Sequence, residues 1–417
     1  MQRLVPSLVL LTLAGYAAAE SMVVSDDAAK LTVGMLSQVR MDIARGSNNL
    51  DDVYSPSENG AGKPDTADFY LRRLRPYFKG TFGDGFLFQT TLAADNVGKN
   101  AASSPNVTLF DAYVGRKFVT GDLSHTVVAG KKNAWFYTGN FNQSMGLFPS
   151  LRPTTPIGVP NNIGVSYRLD APMIRFGVDV LNNVGTGFTT SNAMGLAGDD
   201  TANANTSQGE GLWYSGRLEI TGKADWASPW QESFAGKPGH GFVVGIEAAG
   251  DSKDRIADVD GATTGAQAGR ASAAIFGFEG MLHLDSLTAV IDYRMQKTAF
   301  VADAAADPDA VHSHTFTVQA GYAFATGIGL VPMVEPVLRF STIDNFGGDT
   351  TEGDNYGAAD YGASGRQVEI GMNAFFNGHK NKLAIEYINW TGEEGATPAT
   401  GNIPTAHILR VQQQLLF

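Results

Sequence analysis

Stretches in which apolar and polar residues alternate recur along the chain. In one of them, Leu287, Ala289 and Ile291 alternate with the polar residues Thr288 and Asp292. A two-residue period puts the apolar side chains on one face of a β-strand and the polar side chains on the other. The sequence predicts sixteen such strands, near residues 31–44, 67–82, 85–95, 107–118, 123–132, 163–170, 173–183, 211–222, 240–250, 271–282, 287–298, 313–324, 330–341, 366–376, 381–390 and 405–417. The expected fold class is therefore all-β.

The connections between these predicted strands alternate between short and long. Tight turns such as 83–85 and 121–122 follow every second strand, whereas polar segments such as 45–66 and 342–365 join the others. Residues 223–239 are the exception, because they are long where a short turn is expected. In outer-membrane barrels the short turns face the periplasm and the long loops face outside. The pattern predicts a transmembrane antiparallel up-and-down β-barrel of about sixteen strands.

The last residues of the sequence agree with a barrel. In 405–417 the apolar Leu409 and Val411 alternate with the polar Arg410 and Gln412, and the sequence ends on Phe417. A closed barrel needs such a strand, because its last strand pairs with its first and leaves no open edge.

The first residues predict export. Residues 1–19 contain Arg3, a short apolar run and an alanine-rich end, which is the layout of a cleaved secretory signal. We expect 1–19 to be a signal peptide and 20–417 to form a single outer-membrane β-barrel domain of a Gram-negative-type bacterium. A buried first strand or helix is the alternative for 1–19.

Composition narrows the choice further. The 417 residues include no cysteine, so disulfides and thiol chemistry are excluded. No apolar run approaches the roughly 18 residues that a helical membrane span requires. The net charge of −12 argues against a nucleic-acid partner. A pair of soluble β-sandwiches or a β-helix remains the alternative fold, although nothing in those folds makes loop lengths alternate.

Charged residues at mid-strand positions predict a water-filled interior. An arginine facing lipid costs about 2–4 kcal/mol at the membrane midplane, so these charges must face inward. A barrel of sixteen strands encloses an aqueous lumen, whereas the interior of a barrel of about eight strands is filled by side chains. Parity predicts a basic arc formed by Arg40, Arg73, Arg75, Lys79, Lys117, Lys131, Arg168, Arg175 and Arg217. It predicts an opposing acidic wall formed by Glu247, Glu279, Asp292, Glu335 and Glu369. Facing arcs of opposite charge would set a transverse field across the pore.

The densest basic motif lies in 69–80. Arg73, Arg75 and Lys79 share one face, and a row of positive charges offers an anion a series of weak sites. In the alternative interpretation these side chains pair with carboxylates such as Asp111 and stiffen the wall. Arg72 has the opposite parity, so we expect it to face lipid near the membrane surface.

Predicted loop 133–162 is unusually apolar for an external loop. It contains Trp135 and Phe148, and it also contains Arg152. We expect it to fold into the pore, with Arg152 lining a constriction and binding anions. Packing on the rim or against a sister subunit is the alternative. The acidic loops, such as 342–365, would bridge lipopolysaccharide through divalent cations or remain solvated.

Signals for catalysis are weak. The sequence has no nucleophile elbow and no phosphate-binding glycine loop, and His312 with His314 would supply too few ligands for a metal. We expect no enzyme, no cofactor and no metal. The predicted function is passive diffusion of small hydrophilic solutes, with a preference for phosphate-like or carboxylate-bearing anions. A non-conducting structural or interaction barrel with acidic surface loops is the alternative.

Four motifs resemble the phosphate-selective porins O and P. They are F-Y-L-R-R-L-R-P-Y-F-K-G-T-F (69–82), F-L-F-Q-T-T-L-A-A-D (86–95), F-F-N-G-H-K-N-K-L-A-I-E-Y (375–387) and R-V-Q-Q-Q-L-L-F (410–417). The resemblance implies a trimeric sixteen-stranded pore in the outer membrane, in contact with its lipid and lipopolysaccharide. It also implies an arginine ladder and lumenal lysines, and Arg73, Arg75 and Lys79 match the ladder.

Overall fold

The structure is a computed structural model, and it describes part of the 417-residue chain. The described residues are 22–25, 29–46, 65–99, 107–135, 146–149, 161–182, 212–222, 232–233, 235–237, 239–251, 270–300, 311–346, 365–392 and 405–417. Strands dominate these residues. None of the described segments contains a helix with the length and apolarity needed to cross a membrane.

All strands belong to one antiparallel sheet. They are β1 (Met22–Ser25), β2 (Ala29–Gly46), β3 (Asp65–Phe82), β4 (Phe86–Val97), β5 (Thr108–Thr120), β6 (Leu123–Lys132), β7 (Asn162–Asp170), β8 (Ile174–Asn182), β9 (Leu212–Thr221), β10 (His240–Asp251), β11 (Arg270–Leu284), β12 (Leu287–Phe300), β13 (Val311–Tyr322), β14 (Phe324–Ile328), β15 (Val331–Phe346), β16 (Gly365–Asn377), β17 (Asn381–Gly392) and β18 (Thr405–Leu416). Consecutive strands pair, except that β13 and β14 both pair with β15, and β18 returns to pair with β2, so the sheet closes into a barrel.

The barrel wall has sixteen strands. β13 and β14 form one wall strand interrupted at Ala323, because both pair with β15. β1 is a short addition that pairs with β2 at residues 30–33, beyond the stretch of β2 that β18 covers. Each of the sixteen predicted strands has its counterpart, so the predicted barrel is confirmed and the sandwich and β-helix alternatives are wrong.

Closure uses the last strand as the sequence predicts. β18 pairs with β2 from Ala406 opposite Gly46 to Leu416 opposite Leu36. The final residue extends the ladder, since the Phe417 N–H donates to the Met35 carbonyl at 2.9 Å. The Tyr77 hydroxyl of β3 donates to the Phe417 carbonyl at 3.0 Å, which ties the chain end to a third strand.

The two faces of the wall differ in chemistry. On β9, Ser215, Arg217 and Glu219 are buried on the inner face, whereas Tyr214 and Leu218 are exposed by 47% and 38% on the outer face. The same alternation runs around the barrel, so a continuous apolar belt faces outward. Such a belt is stable only where it is kept from water, as in a bilayer.

Paired tyrosine and histidine side chains edge this belt. The Tyr293 hydroxyl lies 2.7 Å from His314 Nδ1 near the end of the barrel with the long loops. His125 Nδ1 lies 2.8 Å from the Tyr167 hydroxyl at the opposite end. An aromatic ring with a satisfied polar tip suits the boundary between hydrocarbon and water. The two pairs therefore mark the two edges of the apolar belt.

A β-bulge changes the predicted position of Arg72. Gln38 of β2 pairs with Arg73, and the next residue Val39 pairs with Leu71, so Arg72 is the extra residue on β3. Its Nη1 donates to the Asn96 side-chain oxygen at 3.0 Å and lies 4.0 Å from Asp95. The expectation that Arg72 faces lipid is wrong, because parity counting assumes an unbroken ladder.

Candidate functional site

The charged residues that the sequence predicts to line the pore lie on the inner face, apart from Lys131, which faces outward, and Arg152, which lies outside the described residues. Those that are almost fully buried are Arg40, Arg73, Arg75, Arg217, Glu247, Glu279, Asp292, Glu335 and Glu369. Those that retain exposure inside the barrel are Lys79, Lys117, Arg168 and Arg175. Arg152, the residue expected at a constriction, lies outside the described residues.

Lys131 is the exception. It pairs with Ala112 of β5 and Ile163 of β7, and Ile163 is exposed by 55% on the outer face. Its neighbour Lys132 points inward instead, with Nζ 2.8 Å from an Asp179 carboxylate oxygen and 2.6 Å from the Ser166 hydroxyl. The assignment of Lys131 to the pore is wrong because its parity on β6 is the outward one. The burial of Val128, four residues before Lys132, shows the correct inner face.

The acidic wall carries its own cations. Arg217 lies 2.7 Å from Glu219 and 3.0 Å from Glu279, and it also contacts Glu247. Arg294 contacts Glu247 as well. Four carboxylates, those of Glu219, Glu247, Glu279 and Asp292, thus surround two guanidinium groups across β9 to β12. A third guanidinium group, that of Arg175, lies 3.8 Å from Glu219, so this part of the wall is paired and its carboxylates outnumber their cations by one.

The pairing continues through the last strands of the wall. Arg339 of β15 lies 2.9 Å from Glu369 of β16. Arg410 of β18 bridges Glu386 of β17 at 2.8 Å and Asp42 of β2 at 2.7 Å. Removing one partner of such a buried pair costs about 3–5 kcal/mol, because the other charge is left uncompensated. These ion pairs therefore lock neighbouring strands in register.

Two guanidinium groups of the basic arc differ from the rest. Arg73 Nη1 donates to the Gln38 side-chain oxygen at 2.8 Å. Arg40 Nε donates to the Gln412 side-chain oxygen at 3.0 Å, and its Nη2 donates to the Pro149 carbonyl at 2.7 Å. Among the described residues their hydrogen-bond acceptors are neutral amide oxygens. The charges of Arg40 and Arg73 are therefore held in place without a directly bonded carboxylate, which favours a nearby anion.

The other members of the predicted ladder are not equivalent. Arg75 Nε donates to Asp95 at 3.0 Å, and its guanidinium stacks 3.9 Å from the Phe110 ring centre. Lys79 is exposed near the end of the barrel with the short turns and lies 5.3 Å from the Tyr77 ring centre. Arg75 is thus largely neutralised, while Lys79 presents its ammonium to solvent inside the barrel.

β6 to β8 form a partly open patch of paired charges. Arg168 Nε donates to Asp170 at 2.7 Å, and Arg175 lies 3.4 Å from the same carboxylate. The Trp135 ring covers this patch from above, 5.1 Å from the Arg168 guanidinium. The Trp135 N–H of the main chain donates to Asp179 at 2.8 Å, which fixes the ring against the wall.

Residues 146–149 of the long segment after β6 contact inward-facing side chains. Asn373 of β16 donates to the Leu147 carbonyl at 2.8 Å, and the Arg339 guanidinium lies 4.4 Å from the centre of the Phe148 ring. Leu147 and Phe148 are 0% and 4% exposed and form an apolar cluster with Val337 of β15. This four-residue segment, called the loop segment below, therefore covers the inner face of β15 and β16.

Exposure divides the inner wall into a covered and an open part. Along β10 to β17 the inward carboxylates are almost inaccessible, with Glu335 at 1% and Glu369 at 0%. Along β3 to β8 the side chains of Arg168 and Asp95 are 21% and 26% exposed, and Lys117 is exposed as well. Water inside the barrel therefore meets the wall mainly at β3 to β8.

Comparison with known proteins shows a likeness in structure. No protein-family model matches the chain, and no curated protein matches it in sequence. An anion-selective porin from Comamonas acidovorans superposes with a TM-score of 0.55 at 12% identity, covering 92% of this chain and 100% of that one. The outer membrane channel DcaP of Acinetobacter baumannii gives a TM-score of 0.53 at 12% identity, covering 94% and 99%. OprB of Pseudomonas putida gives 0.53 at 9% identity, covering 93% and 94%. The chain thus has the fold of outer-membrane porins.

Proposed function

We propose that this protein is an outer-membrane channel for passive diffusion of small hydrophilic solutes, with a preference for anions that carry phosphate or carboxylate groups. One observation carries the proposal: the open part of the inner wall, along β3 to β8, is mainly basic. Its exposed or partly exposed cations are Lys79, Lys117, Arg168 and Arg175. Its partly exposed carboxylates are those of Asp68, Asp95 and Asp170, one fewer than its cations.

The physical reason is that a permeating ion responds to the charges it passes closely. At about 0.1 M salt the Debye length is about 10 Å, so charges across a covered wall act weakly on an ion in the open passage. Arg40 and Arg73 are almost fully buried and therefore contribute less than the exposed cations, although their described acceptors are neutral. A positive potential along one side of the passage raises the local concentration of anions.

Two likenesses accord with this proposal. One of the three similar structures is described as an anion-selective porin, and another as an outer membrane channel. The motifs in 69–82 and 410–417 resemble the phosphate-selective porins O and P. We extend the proposal to that family's trimeric state, and to anions of the phosphate class among the solutes.

The remaining parts of the proposal concern location and assembly. Residues 1–19 serve as a cleaved export signal, and residues 20–417 reside in the outer membrane in contact with its lipid and lipopolysaccharide. The loop 133–162 narrows the pore, with the contacts of residues 146–149 as support. No enzymatic activity and no cofactor form part of the proposal.

Reversal potentials in a planar bilayer under a KCl gradient test the proposal. We expect chloride preference in the wild type, and a fall in the chloride-to-potassium permeability ratio by about two- to threefold in Lys117→Gln, which removes an exposed cation from the inner face of β5. Arg116→Gln is the matched control, because Arg116 is an exposed arginine on the outer face and its loss leaves the passage unchanged. Cation preference in the wild type would overturn the anion claim, and the absence of conductance would overturn the channel.

A closed barrel with a structural or interaction role is the second candidate. The near-complete burial of the inner face along β10 to β17 favours it, because an interior filled on one side is a step toward a filled lumen. Liposome swelling with small sugars separates the two functions. Swelling supports diffusion through the lumen, whereas liposomes that do not swell support the interaction barrel with its acidic loops.

A further inference from the structure

We propose that residues of the long connection between β9 and β10 form an inner strap which masks the acidic wall and so determines the ion preference of the pore. The strap consists of the described residues 232, 233, 235–237 and 239. The inference rests on the proposed channel function, and it assigns a role to the one connection that breaks the alternation of short and long segments. The determinants are Glu232 and Ser233, acting with the loop segment 146–149.

The strap lies against the inner face rather than at the rim. Glu232 and Ser233 are 4% and 0% exposed. The Ser233 hydroxyl donates to Glu335 of β15 at 2.8 Å, and Gln319 of β13 donates to Glu232 at 2.8 Å. Two side chains of the acidic half of the barrel thus hold the strap by direct hydrogen bonds.

Two histidines near the short turns also hold the strap. His379, between β16 and β17, donates from Nε2 to the Ser233 carbonyl at 2.7 Å. His283, near the end of β11, donates from Nε2 to the Lys237 carbonyl at 3.0 Å. The strap therefore runs across the inner ends of β11 to β16, because its anchors lie on those strands.

Packing between the strap and the wall is tight at Gly236. This residue adopts φ of 72°, and a Cβ added there would lie 2.6 Å from the Met333 methyl carbon and 3.5 Å from the Ala323 Cβ. Ala323 is the point where β13 and β14 are interrupted, and it is 1% exposed. The strap thus fits against an irregularity of the wall, and a side chain at Gly236 would have to displace the end of Met333.

The strap meets the loop segment inside the barrel. The Leu147 N–H donates to Glu232 at 3.3 Å, and Lys382 of β17 donates to the Gly146 carbonyl at 3.0 Å. Asn373 donates to both Leu147 and Glu335, at 2.8 and 2.9 Å, so it joins the loop segment to the strap's own partner. One segment enters from the side of the long loops and the other from the side of the short turns, and together they cover β13 to β17.

The covered surface is the acidic one. Glu335 accepts a hydrogen bond from the strap, and Glu369 pairs with Arg339, whose guanidinium lies against Phe148 of the loop segment. The carboxylates of β9 to β12 lie further along the same inner wall and are also almost fully buried. If this surface met water in the passage, its surplus of carboxylates would attract cations. Covering it leaves permeating ions in contact with β3 to β8, where the exposed charges are mainly basic. The strap therefore favours anions by covering the acidic wall.

Thiol labelling tests the covering directly, because the chain contains no cysteine of its own. Val337→Cys places a thiol under the loop segment, where Val337 is 4% exposed. Thr126→Cys is the matched control, a residue of similar size on the open inner face of β6. With a water-soluble methanethiosulfonate reagent we expect Thr126→Cys to react at least about tenfold faster, since reaction requires an accessible thiolate. Equal rates would overturn the inference.

The chloride-to-potassium permeability ratio gives the second test. Its direction of change separates exposure of the acidic wall from the simple loss of one negative charge. Glu232→Ala combined with Ser233→Ala releases the strap and also removes one negative charge. Loss of that charge alone would raise the chloride-to-potassium ratio. Unmasking predicts that the ratio falls by about twofold or more, because the acidic wall becomes accessible. Asp84→Ala, which removes an exposed acid in the turn after β3, is the control and is expected to leave the ratio unchanged.

The outcomes separate this inference from the proposed function. If the wild type does not conduct, the proposed channel function is wrong. The labelling rates still show whether the acidic side of the inner wall is covered. A ratio that rises or stays constant in the double variant, in a protein that conducts, overturns the strap's role in selectivity and leaves the channel intact. If the double variant fails to fold, faster labelling of Ala323→Cys, which packs against Gly236 of the strap, in the single variant Ser233→Ala supports the inference, and an unchanged rate contradicts it.

Discussion

Arg217→Met is expected to be the most destabilising single exchange on the acidic wall. Arg217 is 4% exposed and contacts Glu219, Glu247 and Glu279, which lie on three adjacent strands. Methionine fills much of the same volume but brings no charge. Glu247 keeps Arg294 and Glu219 keeps Arg175, whereas Glu279 loses the guanidinium 3.0 Å away. Leaving a buried charge uncompensated costs about 3–5 kcal/mol. At about 1.36 kcal/mol for each factor of ten, the folding equilibrium should shift by at least about a hundredfold.

The assay is urea unfolding in detergent micelles, followed by tryptophan fluorescence, with Arg168→Met as the matched control. The Arg168 side chain is 21% exposed and pairs with Asp170, so its loss should cost at most about 1 kcal/mol. Adding Glu279→Gln to Arg217→Met should recover part of the loss, because one unpaired charge disappears. If Arg217→Met unfolds at the same urea concentration as Arg168→Met, the wall does not depend on this cation and the reasoning is wrong.

Two further predictions concern the chain end and the strap. Tyr77→Phe removes the hydrogen bond to the Phe417 carbonyl and should cost about 0.5–1.5 kcal/mol, measured as a lower urea midpoint; an unchanged midpoint would contradict the role of this bond in closure. A hydrogen bond from the Gly239 N–H, followed by one from the His240 side chain, lowers the pKa of Asp285 in the folded protein. The ionised carboxylate therefore stabilises the fold above its unfolded pKa, and this stabilisation is lost as the pH falls through the lower folded pKa. The difference in urea midpoint between the wild type and Asp285→Asn should be present at pH 5 and vanish below the folded pKa, and a difference that persists in acid would contradict the assignment.

The sequence predicts the barrel well because strands and turns are specified by neighbouring residues. Period-two alternation identifies each strand, and the choice of short or long connection places its ends. The predicted strand 366–376 and the observed Gly365–Asn377 show how close this reasoning comes. The final strand follows from the same rule, since Arg410 and Gln412 face inward and Leu409 faces outward.

Details of the inner wall depend on register, which the sequence does not specify. One bulge beside Val39 reverses the expected position of Arg72, and an error of one residue on β6 exchanges Lys131 for Lys132. A one-residue shift moves every later side chain of a strand to the other face. On β6 the sequence carries no clear parity signal, because Val127, Val128 and Ala129 are consecutive apolar residues and Lys131 and Lys132 are adjacent cations.

Pairing among the inward charges was also beyond the sequence. The contacts of Arg217 join residues up to 62 positions apart, and nothing in the local pattern distinguishes it from Arg73. Both have inward parity, yet Arg217 is surrounded by carboxylates, while the described partner of Arg73 is an amide. The two interpretations of the basic motif therefore hold for different residues. Arg75 pairs with Asp95, whereas Arg73 bonds to the amide of Gln38 within the described part of the chain.

The net charge of −12 does not conflict with an anion-preferring passage. A permeating ion senses charges within about a Debye length, roughly 10 Å at 0.1 M salt, and weights them by how much water lies between. Glu247 and Glu369 are almost fully buried and pair with Arg217 and Arg339, so they present little charge to the passage. The exposed Lys79 and Lys117 remain at the wall that the ion passes. Ion preference in this barrel thus depends on which part of the inner wall is exposed to the passage. Glu232 is negatively charged, yet it favours anions because it holds the strap that covers the acidic wall.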